Sequence, residues 1–308
     1  MTRRALLAVS GSAFLWGDTM EANAMDDNSD LLAAVFEVRS GRHLSGRDFV
    51  RRLADNDAVF VGEQHDDPLT HHVESRLLQE LYRALGDRLT VGMEMFERDG
   101  QGALDAYLAG RITETELAKR VALWPNYSTD YRPLVEFARA THIPVAATNA
   151  PQRIVRRVGR EGLSTVLATL PEADRNLIAR TVLAPEGDEY ARRFTAVIGD
   201  GHGDGAPMDV STIRRFFEAQ CVRDDTMAES VAQVLDTGRF VLHINGGFHS
   251  DAALGTVQRL LWRRPLGTRI ATVKVVPSKY AFDPAEERGE ADYVLFVADT
   301  RPEQKPGS

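Results

Sequence analysis

From about residue 58 onward, short runs of apolar, β-branched residues alternate with longer stretches whose apolar positions recur every three or four residues. That alternation predicts βαβ units, and so an α/β fold with a parallel sheet flanked by helices. Val59-Phe60-Val61 reads as the first clear strand, Leu89–Met93 as the second and Pro144–Ala147 as the third. Phe240–Ile244 follows as the fourth, Arg269–Val276 as the fifth, and Tyr293–Val297 as a last strand at the sheet edge. A helix is predicted over Pro68–Leu85, where Val73, Leu77, Leu78, Leu81 and Leu85 share a stripe and Gly86 stops it. Thr113-Glu114-Thr115-Glu116 is a capping box that opens another helix, and Tyr131–Thr141 is a further one. Between the third and fourth strands lie about 90 residues of helical periodicity without a strand. A crossover needs about a dozen residues, so this stretch predicts a smaller helical subdomain around 150–238, laid against the sheet. Its last helix runs over Asp209–Asp236 and ends at Gly238, behind a flexible glycine-rich loop at Gly199–Gly205. Residues 25–35 read as a polar lead-in and 301–308 as a disordered tail, so one α/β domain is expected over 25–300.

Composition narrows this picture. The chain has 308 residues, 43% of them hydrophobic, enough for one large core. A net charge of −8 argues against nucleic acid as the partner, since phosphate binding needs a basic surface. The run Arg153, Arg156, Arg157 and Arg160 reads as a solvated helix face. Arg3 and Arg4, the apolar run Ala5–Trp16 and the small-x-small site Ala22-Asn23-Ala24 predict a signal peptide over 1–24. The apolar run is too short to span a bilayer, and the two arginines also resemble a twin-arginine signal. Cys221 is the single cysteine; it reads as a buried hydrophobe, leaving no intramolecular disulfide and no lipid-anchor cysteine. The expectation is a soluble protein exported to the periplasm.

Ligands in open α/β sheets bind where parallel strands end. The first strand is followed by Gly62, Glu63 and His65, the second by Glu94, the third by Asn149, and the fourth by Asn245, Gly246 and His249. Two glycine-x-x-histidine turns thus bring two imidazoles beside two carboxylates. Such a set suits either a divalent metal on His65, His249 and Glu94, or a base with its orienting partner. Glu94 sits in the apolar run Gly92-Met93-Glu94-Met95-Phe96, where a carboxylate must be paired or ligating. Asp224 falls on an apolar helix face with Phe217, Met227 and Val231, placed either to orient a site group or to pair with an arginine. His71, His72 and His202 read as exposed, and His243 as a satisfied core residue.

Five ordered blocks carry a family resemblance: Gly62–Asp66, Gly92–Phe96, Asp130–Pro133 with Ile143–Pro151, Ala219–Ala228, and Gly246–His249. They resemble the ChaN-like, haem-binding branch of the Tiki superfamily over about residues 35–277. The resemblance implies a role in haem or iron uptake, with haem between two protomers of a homodimer and its iron held by a tyrosine. Tyr131 and Tyr127 are the foremost candidates, with Tyr82 and Tyr107 behind them, and Arg132, Arg153 or Arg156 would pair with propionates. An outer-membrane haem receptor is the implied partner. Other branches of the superfamily are metal-dependent proteases and histidine-based esterases. The alternative is therefore a hydrolase in which Glu63, His65, Glu94 and His249 activate water. A third possibility is a drifted site that serves only for binding.

Overall fold

Ala58–Glu63 is buried at every one of its six positions, a pattern that belongs to a strand covered on both faces. The computed structural model describes residues 35–200, 208–264, 266–277 and 287–297, and in it this strand lies at the centre of an eight-stranded sheet. The strands are β1 (Val35–Glu37), β2 (Arg42–Leu44), β3 (Ala58–Glu63), β4 (Leu89–Glu97), β5 (Val145–Asn149), β6 (Phe240–Gly246), β7 (Ile270–Pro277) and β8 (Tyr293–Val297). Their order is β2-β1-β8-β7-β3-β6-β4-β5; β3 to β8 run parallel, and β1 is antiparallel to β2 and β8. The parallel α/β class read from the sequence is therefore present. Two expectations need correction. The N-terminal segment adds a β1–β2 hairpin that no sequence pattern announced, and this hairpin displaces β8 from the edge.

Among the described residues the helices are α1 (Gly46–Ala54), α2 (Pro68–Leu85), α3 (Gln101–Leu108), α4 (Glu114–Ala118), α5 (Arg132–Thr141) and α6 (Gln152–Glu161). They continue with α7 (Leu163–Thr169), α8 (Glu172–Arg175), α9 (Glu189–Asp200), α10 (Val210–Asp236) and α11 (Gly255–Arg263). Local chemistry sets several boundaries. Asp67 caps the N-terminus of α2 with Pro68 next to it, and the Thr113–Glu116 capping box opens α4. Asp209 caps α10. Just before α5 the backbone widens into a π-turn over Tyr127–Tyr131, so that helix starts one residue later than its periodicity suggested.

Strand alternation divides the core into two layers. Val59, Val61, Val91, Met93, Leu242 and Ile244 join a cluster with α1, α2, α3 and α5. Ala58, Phe60 and Val241 instead meet Ala228, Val231 and Leu235 of α10 and Val257 and Leu260 of α11. Among its described residues the stretch between β5 and β6 holds α6 to α10 and no strand, and α10 ties it to the sheet. Its Ala219 and Val222 pack on α6 and α7, while Phe217 and Cys221 pack on Tyr190 and Phe194 of α9. At the β5 edge, the Gln101 side chain donates to the Val145 carbonyl (2.9 Å) and accepts from the Ala147 N–H (2.6 Å). No helix among the described residues is long and apolar enough to cross a membrane. The expected signal peptide, most of the glycine-rich loop with His202, and the C-terminal tail lie outside the described residues.

Candidate functional site

β3, β6, β4 and β5 end side by side and deliver Glu63, Asn245 with Gly246, Glu94 and Asn149 to one edge. Because the side chains alternate, the site is built in two halves.

The first half lies toward α2 and α5. Glu63 accepts the Tyr131 hydroxyl at 2.8 Å on the same oxygen that meets His65 Nδ1, and its other oxygen is 3.4 Å from His71 Nδ1. Burial alone would raise Glu63, but the hydrogen bond from His65 and the nearby His71 ring outweigh it and hold the carboxyl at about 2. Trp124 packs edge-on against both His65 (4.9 Å) and Tyr131 (5.7 Å), and Asn126 donates to the His65 carbonyl at 3.0 Å. The His65 side chain keeps 40% of its surface exposed, whereas His71, His243 and His249 are buried.

The second half lies toward α10. Glu94 accepts the Gly246 N–H at 2.8 Å, and its other oxygen is 3.3 Å from His249 Nε2. His249 Nδ1 meets Asp224 at 2.7 Å, and Asp224 also accepts the hydroxyls of Tyr190 (2.8 Å) and Thr256 (2.9 Å). Burial would lower His249, yet the charges of Glu94 and Asp224 push it up to about 10, so the ring is an imidazolium. Glu94 is held well below the usual carboxylate range by that same cation, against the opposing effect of burial.

The halves meet over Gly246. A Cβ there would stand 2.7 Å from His65 Nε2, so the imidazole can rest on the backbone only because no side chain intervenes. Behind them Asn149 donates to the Glu94 carbonyl (3.0 Å), and Asn245 links His243 (2.9 Å) to Ser250 (3.0 Å). His243 also meets Thr148 at 3.0 Å and is driven down to about 4 by burial, the neutral core residue the sequence suggested.

A stability profile follows from His249. Its folded pKa lies above the unfolded value, so its contribution is complete below about pH 6.5 and disappears as pH rises toward 10. Urea unfolding should show a loss of roughly 2–3 kcal/mol between pH 6 and pH 9. His249→Asn should make that slope shallower, leaving the share of His71 and His65, which are also raised; an unchanged slope would mean that the His249 ring is neutral.

The structure thus gathers Gly62, Glu63, His65, Glu94, Asn149, Asp224, Asn245, Gly246 and His249 at one edge. His65, His249 and Glu94, expected as a metal set, do not bring their ligand atoms within 4.8 Å of one another; each imidazole is engaged by a carboxylate instead. Arg132 points away, exposed and paired with Glu114 at 2.7 Å. Tyr127 is buried against Phe96, Tyr107 bonds Glu136, and Tyr82 packs on Phe137. Burial and, for Tyr131, the neighbouring Glu63 charge keep the Tyr131 and Tyr127 phenols protonated well above the ordinary range. His71 corrects the sequence reading: it is buried, while His72 is exposed as expected. Glu74 and Tyr190 were missed. The signal for His71 and Glu74 was present, because both continue the α2 stripe of Leu78, Leu81 and Leu85 at three- and four-residue spacing.

The family model for haem-binding uptake, Tiki superfamily, ChaN matches residues 49–260. The solved structure of cofacial haem binding to ChaN of Campylobacter jejuni is similar, with a TM-score of 0.64 and 16% identity, covering 84% of this chain and 94% of that one. A succinoglycan biosynthesis protein follows with a TM-score of 0.46 and 14% identity, over 82% of this chain and 75% of that one. RRSP, a MARTX toxin effector domain from Vibrio vulnificus, has a TM-score of 0.42 and 17% identity, over 89% and 43%. No curated protein matches the sequence.

Proposed function

Because the chain belongs to the haem-binding uptake family of the Tiki superfamily, ChaN, we propose that it takes up haem at the carboxyl edge of its sheet, with His65 as the group that meets the iron. The observation that carries this choice is the exposure of His65 beside a glycine cradle, where Tyr131, Tyr127 and Tyr107 are buried and the partly buried Tyr82 packs on Phe137 near the C-terminal end of α2. Haem iron takes a histidine, thiolate, thioether or phenolate ligand. A phenolate here would have to form in a buried site, and for Tyr131 next to a carboxylate already ionised. His65 faces a smaller barrier: it has only to give up an imidazolium proton, which, against burial, Glu63 and Glu94 hold above its ordinary value. Glu63 holds Nδ1, which fixes the ring and raises its basicity as a ligand, and Nε2 lies over Gly246 with no Cβ in the way. Tyr131 in this reading holds Glu63, and Trp124 offers an aromatic wall.

The likeness to a structure described by cofacial haem extends the proposal: two copies of this chain place their haems face to face at a shared interface. The sequence features of residues 1–24 support export to the periplasm, where an outer-membrane haem receptor is the natural partner.

The test is a haem titration of the chain from Met25 onward, followed by absorbance with size exclusion in parallel. Wild type and Tyr131→Phe should both give a saturable Soret band with a shift to dimer, and His65→Ala should lose it. No band with wild type at micromolar haem would end the haem reading. A band kept by His65→Ala and lost by Tyr131→Phe would return the iron to the phenol.

A further inference from the structure

Beneath the haem edge, and not required by it, α2 turns a histidine and a glutamate toward Glu63. Glu63, His71 and Glu74 are each at least nine-tenths buried, and one ligand atom from each lies within 4.8 Å of the other two. His71 Nδ1 is 3.1 Å from Glu74 Oε2 and 3.4 Å from Glu63 Oε2. Glu63 Oε2 and Glu74 Oε1 are buried with no hydrogen-bond partner among the described residues, and an unsatisfied carboxylate oxygen is among the costliest groups to bury.

The other face of His71 fixes its role. Nε2 is 3.1 Å from the His65 carbonyl and 3.6 Å from Asp130, both acceptors, so Nε2 carries the proton. In the neutral ring the Nδ1 lone pair then points at two carboxylates, which is repulsive unless a proton or a metal cation lies between them. Histidine ligands of metals are held this way, with the second ring nitrogen donating to a backbone carbonyl. We propose that Glu63, His71 and Glu74 form a buried binding site for a divalent first-row cation such as Zn(II). One imidazole and two carboxylates are a ligand set that this class of metal accepts, with a fourth position left for water.

Charge balance agrees. With no cation, the cluster stays neutral by keeping two protons: burial would lower His71, but the neighbouring Glu63 and Glu74 push it up to about 11, and burial beside Glu63 keeps Glu74 protonated well above its ordinary value. A dication substitutes for those two protons with no change in net charge, and both are released to solvent. The bound ion would also fix Glu63, and through it His65.

The experiment uses the untagged chain from Met25 onward, stripped with EDTA and titrated with Zn(II) alone by calorimetry and thermal unfolding. Wild type should take up one equivalent and melt higher with added Zn(II). The isosteric Glu74→Gln should weaken binding by about 100-fold or more, since it removes a ligand rather than a group behind one. His72→Asn, at an exposed histidine of the same helix, should bind as wild type does. A second probe, the visible spectrum of Co(II) in the same site, should report a nitrogen–oxygen set that disappears in His71→Gln. Absence of Zn(II) uptake by wild type at 100 µM, on the order of the weakest useful protein affinities, would overturn the site. So would uptake that survives Glu74→Gln undiminished. Neither result bears on the Soret titration, so the two proposals fail separately.

Discussion

Replacing Arg259 with alanine should cost the fold about 3–5 kcal/mol, enough to leave little soluble protein. Arg259 is fully buried, which a guanidinium tolerates only when its donors are used. It donates to the carbonyls of Gly255 (3.0 Å) and Leu183 (3.2 Å), approaches Asp225 at 3.3 Å, and stacks over Tyr190 at 5.2 Å. Asp224 and Asp225 are themselves fully buried, so alanine would strand negative charge next to the His249 pair. Arg263 still reaches Asp225 at 2.7 Å, which places the loss toward the lower end of the range. Urea unfolding measures it, with Arg259→Lys as a comparison that keeps the charge but loses the fork. A loss below about 1 kcal/mol would mean that the buried charges relax to water more easily than their packing suggests.

Gly255→Ala should cost about 2–4 kcal/mol, from a different cause. Its φ of +52° is a left-handed conformation, and a Cβ would stand 2.6 Å from the His249 carbonyl oxygen, which is backbone and slow to move. The clash lies between the loop that carries His249 and the first residue of α11, whose carbonyl accepts from Arg259. The variant should therefore also disturb His249, read as a shift of its imidazole resonances. Because the Arg259 and Gly255 changes share a hydrogen bond, their costs should not add. Additive costs would show that the two positions act independently.

Much of this architecture could be read before any coordinates. The central strands are buried on both faces, so each is a short apolar run, and the polar residue that follows each run marks the carboxyl edge. Pro68, Asp67 and Gly86 bracket α2 with local signals that need no tertiary context. The β1–β2 hairpin could not be read, because strands of three residues such as Val-Phe-Glu carry no period, and β1 owes its place in the sheet to β8, where Val35 pairs with Leu295. The site was legible as a list of residues but not as a set of partners. Asp224 stood out as an acid on an apolar face, and the structure gives it His249. His71 was assigned to solvent together with His72, although the helical stripe places only one of them inward. Tyr190 and Arg259 carried no signal, since an aromatic and an arginine in amphipathic helices are ordinary until the fold brings them to Asp224.

The rim of β5 has a consequence for how this molecule behaves in company. An open strand is a template on which a second chain can continue the ladder, and natural proteins interrupt such rims with charge, proline or cover. Here one primary amide does so: the head group of Gln101 meets a carbonyl and an N–H two residues apart, as the peptide group of a neighbouring strand would. The side chain is a one-residue counterfeit of a ninth strand, occupying the place where an intruding backbone would have to dock first. Crowding therefore finds no vacant ladder at Val145 and Ala147, and any self-association the chain needs for its ligand is left to other surfaces.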